Sequence, residues 1–374
     1  MAETTPLLMI PGPTPVRDDV RAALAEPVRS HTSAENAQTM RRVEQGLRAC
    51  FGTESARVHV FAGSGTLAME AAVVNHVRAG ERMVVCSQGY FGDRFAEIGA
   101  AFGIEVHSVA SEWGMRLHPD KLREACAQHR PALVTITHVD TSTGVLADVQ
   151  ALAGVATEAG ALVVLDGVCA TAGVEERMDG WGVDVALTGA QKALAVPPGL
   201  ALLAAGDRAR ERREELQTVP AYYADLRRWN ADPTKYFSTH ATGMLRALEV
   251  ALDAVEAETL QRRFARHARI AAAIRAGFQA LGLTPLTAPD ALAPTLSVLA
   301  TPDGVDEAKL RLGMAEQGVI VAACLGPFAG KGIRVGHMGE VTMREVERTL
   351  TAAAHALGRE AEHALDSALA AAST

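Results

Sequence analysis

Between about residues 55 and 205 short apolar runs alternate with amphipathic stretches, and this alternation restricts the fold more than any other feature of the chain. Arg57 to Phe61, Met83 to Cys86, Ile104 to Val109, Ala132 to His138, Ala161 to Asp166, Val183 to Thr188 and Leu200 to Ala204 read as strands. Leu67 to Val77, Asp93 to Phe102, Pro119 to Gln128 and Val149 to Ala159 read as helices between them. Strands separated by helices at this spacing need crossover connections, so the sequence predicts an α/β protein with a mainly parallel sheet covered on both faces. Ligands of such sheets sit beyond the carboxyl ends of the strands, and the search for chemistry starts there.

A helical stretch from about Thr242 to Leu281 leads into a mixed segment, with strands expected at Leu296 to Leu299 and Gly318 to Ala322 and a helix at Val341 to Leu357. The expected division is an N-terminal arm over 1–17, a large domain over 18–255 and a smaller α+β domain over 256–374. The Ala-rich tail from Arg359 is expected to fray into solvent. A chain of 374 residues, 48% of them hydrophobic, can bury the cores that two domains need. Its net charge of −8 disfavours nucleic acid or an anionic membrane as partner. No apolar run reaches the roughly 18 residues of a spanning helix, and the first residues do not resemble a signal peptide. Cys50, Cys86, Cys126, Cys169 and Cys324 form no C-x-x-C pair, so reduced thiols in a cytoplasm, and no metal site, are expected.

Two strand ends carry the most telling groups. Asp166 closes the run Ala161-Leu-Val-Val-Leu-Asp166, and Lys192 follows the next strand in a turn of small residues, Thr188-Gly-Ala-Gln-Lys-Ala193. A lysine amine forms a Schiff base with an aldehyde, and a buried carboxylate keeps a pyridine nitrogen protonated so that the ring accepts electrons. The pair therefore points to pyridoxal 5'-phosphate. Phe61-Ala-Gly-Ser-Gly-Thr66 reads as strand, Gly-rich turn and helix start, where Ser64, Gly65 and Thr66 either cradle a phosphate or simply cap the helix. Phe91 lies past the next strand and either stacks on a planar ring or packs in the core. Thr141 sits in a hydroxyl-rich run beyond His138, itself read as structural. Tyr236 and Thr239 lie between the domains. Arg334, between Gly332 and Gly336, suits capture of a carboxylate or is a surface cation.

Together these stretches resemble the class V aminotransferases of the fold-type I pyridoxal-phosphate superfamily, in particular the alanine–glyoxylate and serine–glyoxylate aminotransferases. The likeness runs from Pro11-Gly-Pro-Thr-Pro-Val16 through Gly63-Ser-Gly-Thr66, Thr137 to Val145, Asp166 and Gln191-Lys-Ala-Leu194 to Arg334-Val-Gly-His-Met-Gly339. It implies a seven-stranded large-domain sheet and a homodimer with shared active sites. Lys192 would be the Schiff-base lysine and proton shuttle, and Asp166 the partner of the ring nitrogen. Phe91 would stack on the ring where many relatives have Trp, and Thr141 would bond its hydroxyl. Ser64, Gly65, Thr66 and Gln191 would hold the phosphate, joined by Tyr236 and Thr239 from the neighbouring subunit. Arg334 would bind the substrate carboxylate, with the backbone of Gly12 lining the substrate site. The chain departs from the family pattern at Ala190, Thr32 and His240.

The expected reaction moves an amino group from a small amino acid, alanine or serine, to a small 2-oxo acid, glyoxylate or pyruvate. A cysteine desulfurase or other lyase on the same fold is the nearest alternative, but Gln191 stands where desulfurases usually carry His. A non-catalytic binding protein is a second alternative, and it predicts loss of the lysine or the aspartate.

Overall fold

A computed structural model of the chain describes residues 5–229 and 237–373. Its centre is a seven-stranded sheet of β1 (Arg57–Ala62), β2 (Arg82–Ser87), β3 (Glu105–Ala110), β4 (Leu133–Thr137), β5 (Leu162–Asp166), β6 (Val185–Gly189) and β7 (Leu200–Ala205). The spatial order is β1-β7-β6-β5-β4-β2-β3, and only β7 runs antiparallel to its neighbours. Every residue of β4, β5, β6 and β7 is buried, as a sheet clothed on both faces demands, and this is why those strands read as unbroken apolar runs.

Alternate residues feed two cores. Val84, Val134, Ile136, Val163 and Leu165 point into one, packed under the helices Ala34–Phe51, Pro119–His129, Val149–Glu158 and Thr242–Glu258. Met83, Val85, Leu133, Leu162 and Val164 point into the other, under Gly65–Val74 and Tyr90–Ala101. Neither the helix Ala34–Phe51 nor the charged helix Asp207–Glu215 was anticipated from the sequence.

A second, four-stranded sheet orders β8 (Thr284–Pro285), β9 (Leu296–Ala300), β11 (Gly332–Gly336) and β10 (Ala322–Ala323) as β8-β9-β11-β10. Three expectations are corrected here. The stretch Thr242 to Leu281 is two helices, Thr242–Glu258 and Leu260–Ala280, broken at Thr259 with φ 67°, whose hydroxyl caps the second helix by accepting from Arg262 N. The strand expected at Gly318 to Ala322 is two short strands parted at Val321: Val319–Ile320 pairs with Leu7–Leu8, while Ala322–Ala323 pairs with β11. The tail does not fray, because Glu362–Ala372 is a helix that buries Ala364 and Ala368 beside Ile274 and Leu350. The first residues likewise belong to this second core, where Leu7 and Met9 pack with Phe278 and Val335. We propose Thr259 as the junction of the two units. No helix among the described residues is long and apolar enough to cross a membrane.

Arg263 knots the units together, its side chain only 1% exposed. Its Nε donates to Ala172 O at 3.0 Å, and its Nη2 to Ala193 O at 2.6 Å and Glu340 Oε1 at 3.1 Å, while Nη1 meets Glu258 Oε2 at 2.8 Å. Removing Arg263 takes this donor from the Ala172 and Ala193 carbonyls and from Glu340, while Glu258 keeps its bonds from Arg266. Arg263→Met is expected to cost about 3 kcal/mol of stability in denaturant unfolding, at the low end of the usual range because the two glutamates reach solvent. A loss below about 1 kcal/mol would show the knot to be dispensable.

Candidate active site

The register of the central sheet sets the site. Thr137 stands opposite Asp166, and Asp166 opposite Leu187, so β4 and β5 finish in line and β6 runs two residues further, to Gly189. Beyond that edge lies a cavity of about 130 Å³. Its wall contains Ser64, Gly65, Thr66, Phe91, Thr141, Asp166, Gln191 and Lys192, together with Met69, Arg94, Val139, Val168 and Cys169. Eight residues singled out in the sequence thus meet in one place.

Asp166 is 3% exposed, and its Oδ1 accepts from Val168 N at 2.9 Å. Burial pushes its carboxyl up to about 7; the Val168 bond and Lys192 oppose the rise, and the buried Asp140 and Glu176 add to it. Behind it His138 donates its backbone N–H to Asp166 O at 2.9 Å, and its Nδ1 lies 3.0 Å from Glu176 Oε1. His138 is therefore part of the framework, as the sequence suggested.

Lys192 is held from several directions. Its Nζ donates to Pro11 O. Thr14 Oγ1 donates to Lys192 O at 2.8 Å, Thr14 N to Gln191 O at 3.1 Å, and Arg263 holds the next carbonyl, Ala193 O. Gly12 faces the amine with φ 98°; a Cβ there would fall 2.8 Å from Nζ, so no larger residue fits without moving the lysine. The Cys169 thiol also abuts Lys192, and burial pushes it up to about 11.

At the Gly-rich turn, Ser64 is the N-cap of Gly65–Val74, yet its hydroxyl makes no capping bond. The simple capping role considered from the sequence is thus not what the side chain does. The helix start keeps N–H groups directed at the cavity end. Gln191 Oε1 is buried without a hydrogen-bond partner among the described residues. An amide wanting a partner, an unused hydroxyl and a helix N-terminus suit a phosphate, and a buried carboxylate nearby suits a protonated ring nitrogen. The residues present fit pyridoxal phosphate.

Phe91 is fixed by a residue not anticipated from the sequence. Asp140 is fully buried, and its Oδ2 accepts from Phe91 N at 2.9 Å and Gly92 N at 3.1 Å, capping the helix Tyr90–Ala101 from another loop. Its Oδ1 accepts from Ser142 N and Oγ at 2.9 and 2.6 Å. The Asp-x-Ser turn was a readable signal; its reach to Phe91 was not.

Arg334 lies beside the cavity rather than in its wall. Nε donates to Ala323 O at 2.7 Å and Nη1 to Thr141 O at 3.2 Å, and burial draws its guanidinium below the usual value. Thr239 is exposed and does not line this cavity; Tyr236 lies outside the described residues. No group of three or more His, Cys, Asp or Glu among the described residues is placed to hold a metal ion.

A parallel α/β sheet with a lysine and a buried aspartate at its carboxyl edge defines a pyridoxal-phosphate-dependent transferase. The model of the family "Aminotransferase class-V" matches residues 20–348, and the chain belongs to that family. It is 35% identical, over 92% of its length and 91% of the other's, to the "Soluble hydrogenase, small subunit" of Synechococcus sp.. It is 32% identical, over 90% and 87%, to L-aspartate–glyoxylate aminotransferase of Paracoccus denitrificans. The crystal structure of alanine–glyoxylate aminotransferase from Nostoc sp. superposes with TM-score 0.92 at 29% identity, covering 96% of both chains. The chain is a pyridoxal-phosphate-dependent aminotransferase.

For Asp166 the raised value means that, without cofactor, the folded chain prefers the protonated carboxyl. The associated stability is present below the ordinary carboxylate value near 4 and is lost as pH rises through about 7. Between pH 5 and 8 the cofactor-free protein is expected to lose about 2 kcal/mol relative to Asp166→Asn, which has no such proton. Parallel stability curves for the two proteins in denaturant would contradict this.

Proposed function

We propose that the enzyme transfers the amino group of a small uncharged amino acid, alanine or serine, to a small 2-oxo acid, glyoxylate or pyruvate, as a cytoplasmic homodimer. The convergence of Lys192 and Asp166 on one cavity, with Arg334 bonded to the carbonyl of Thr141 beside it, carries this reading. Glyoxylate appears in the names of both the Paracoccus and the Nostoc proteins. An uncharged donor is favoured because Arg334 is bordered by the thiols of Cys169 and Cys324, which pack with Phe328, Val298 and Met338. A second carboxylate among these would be buried unpaired. Thr239 is exposed and does not line its own chain's cavity, which suits service to a neighbouring copy, with Tyr236 three residues before it in sequence. The Synechococcus name suggests a redox subunit, a role that would use neither Lys192 nor Asp166.

When bound, pyridoxal phosphate would supply an electron sink for the bond that breaks at the substrate α-carbon. Ser64, Gly65, Thr66 and Gln191 would hold its phosphate, Phe91 its ring face, Thr141 its hydroxyl and Asp166 its nitrogen. The Arg334 guanidinium orients the substrate by its carboxylate. With its amine free, Lys192 would take the α-proton and deliver it to the cofactor's aldehyde carbon, and the low-dielectric wall keeps that amine from bulk water. Asp166, held by Val168 N, maintains a negative charge where the ring nitrogen must stay protonated.

Initial rates with alanine or serine against glyoxylate or pyruvate are expected to give the parallel double-reciprocal lines of a two-step exchange. Lys192→Ala should lower kcat by about 10² to 10⁴-fold or more. Robust sulfide release from cysteine, without transfer to any 2-oxo acid, would replace this reading with a desulfurase. Arg334→Gln is expected to raise KM for the amino acid by about tenfold or more, the worth of a charge-assisted bond. An unchanged KM would remove Arg334 from the substrate site.

A further inference from the structure

We propose that Arg94 is a further cofactor-site residue, a cation that ties the ring-facing aromatic Phe91 to the phosphate-end hydroxyl of Thr66. The inference rests on the cofactor occupying the cavity described above. Arg94 follows Phe91 by one helical turn in Tyr90–Ala101, so both side chains share a face. Its guanidinium carbon lies 4.7 Å from the centroid of the Phe91 ring and 5.4 Å from that of Tyr90. From there Nη1 donates to Thr66 Oγ1 at 3.3 Å. One side chain thus spans two elements, the helix whose start is the anion cradle and the helix that carries the aromatic plate.

Charge gives this contact its purpose. A phosphate monoester brings close to two negative charges. Ser64, Gly65, Thr66 and Gln191 are neutral, and the helix start offers only about half a positive charge. Lys192 is engaged with Pro11 O and is kept for chemistry. Arg94 is the one other cation among the described residues in the cavity wall. No carboxylate among the described residues pairs with it, unlike most arginines of this chain, so its charge is not already neutralised. A fixed guanidinium beside Thr66 would complete the balance, while its stacking on Phe91 keeps the ring upright.

The test separates phosphate recognition from packing by titrating cofactor-free protein with pyridoxal phosphate and with pyridoxal, which lacks the phosphate, following quenching of protein fluorescence. In Arg94→Gln the affinity for pyridoxal phosphate is expected to fall about ten- to a hundredfold, the range of a charge-assisted hydrogen bond, while that for pyridoxal falls less than about threefold. Arg94→Met, which keeps the aliphatic stem over Phe91, is the second variant should the first not fold, and is expected to behave alike. Inorganic phosphate should compete with pyridoxal phosphate in the wild type and do so less in either variant. Equal losses for both ligands, or wild-type affinity for pyridoxal phosphate, would overturn the role of Arg94. Failure of the unaltered chain to bind pyridoxal phosphate would instead overturn the cofactor reading beneath it.

Discussion

The burial of Asp166 is the constraint around which the rest of the molecule is arranged. A carboxyl at the end of β5, 3% exposed and near the buried Asp140 and Glu176, has few ways to be comfortable. It can keep its proton, or it can face a cation brought from outside. The sheet makes that position unavoidable, because β5 is flanked by β4 and β6 and all three are dry on both faces. A carboxylate so placed contributes nothing to folding. Under the proposed function, a ligand carrying a basic nitrogen would give it a partner, and the neighbouring lysine would serve the same ligand.

The lysine is treated quite differently from the aspartate. Asp166 is set by the sheet alone, whereas Lys192 is gripped by parts of the chain remote in sequence. Thr14 and Pro11 reach it from the beginning of the chain, and Arg263 holds the following carbonyl from the first helix of the second unit. Asp166 is fixed within the central sheet, while Lys192 sits where segments remote in sequence meet. That division suits the proposed chemistry, in which Asp166 would stay charged while Lys192 would let go and return.

Much of this was legible in the sequence, for a physical reason. Four of the central strands, β4 to β7, were visible because strands buried on both faces are written as nearly unbroken apolar runs, and Asp166 ends one of them. β3, at the sheet edge, is not buried and was marked instead by its short alternating pattern. Ser64, Thr66, Phe91 and Thr141 stood out because each follows a strand end. Contacts made through space were not legible. The helix Tyr90–Ala101 begins three residues before the expected Asp93, because its cap, Asp140, comes from another loop. The break at Thr259 depends on a left-handed backbone that Thr seldom adopts, so nothing in the pattern marked it. The tail looked like fraying helix by composition, yet its small residues are what allow it to lie close to Gly277, where an added Cβ would stand 3.1 Å from Ala364 O. Arg94 reads as one more surface cation until its ring contacts are seen.

The parallel pairing of Leu7–Leu8 with Val319–Ile320 has a bearing on how the protein comes into being. A segment made early docks against one made about 300 residues later. The large sheet can assemble while translation continues, since its strands all precede residue 206. The grip of Pro11 and Thr14 on the Lys192 turn, anchored through that pairing, cannot be complete until Ile320 has emerged. Nascent chains of this enzyme therefore carry all the strands of the large sheet before the Lys192 turn can be completed.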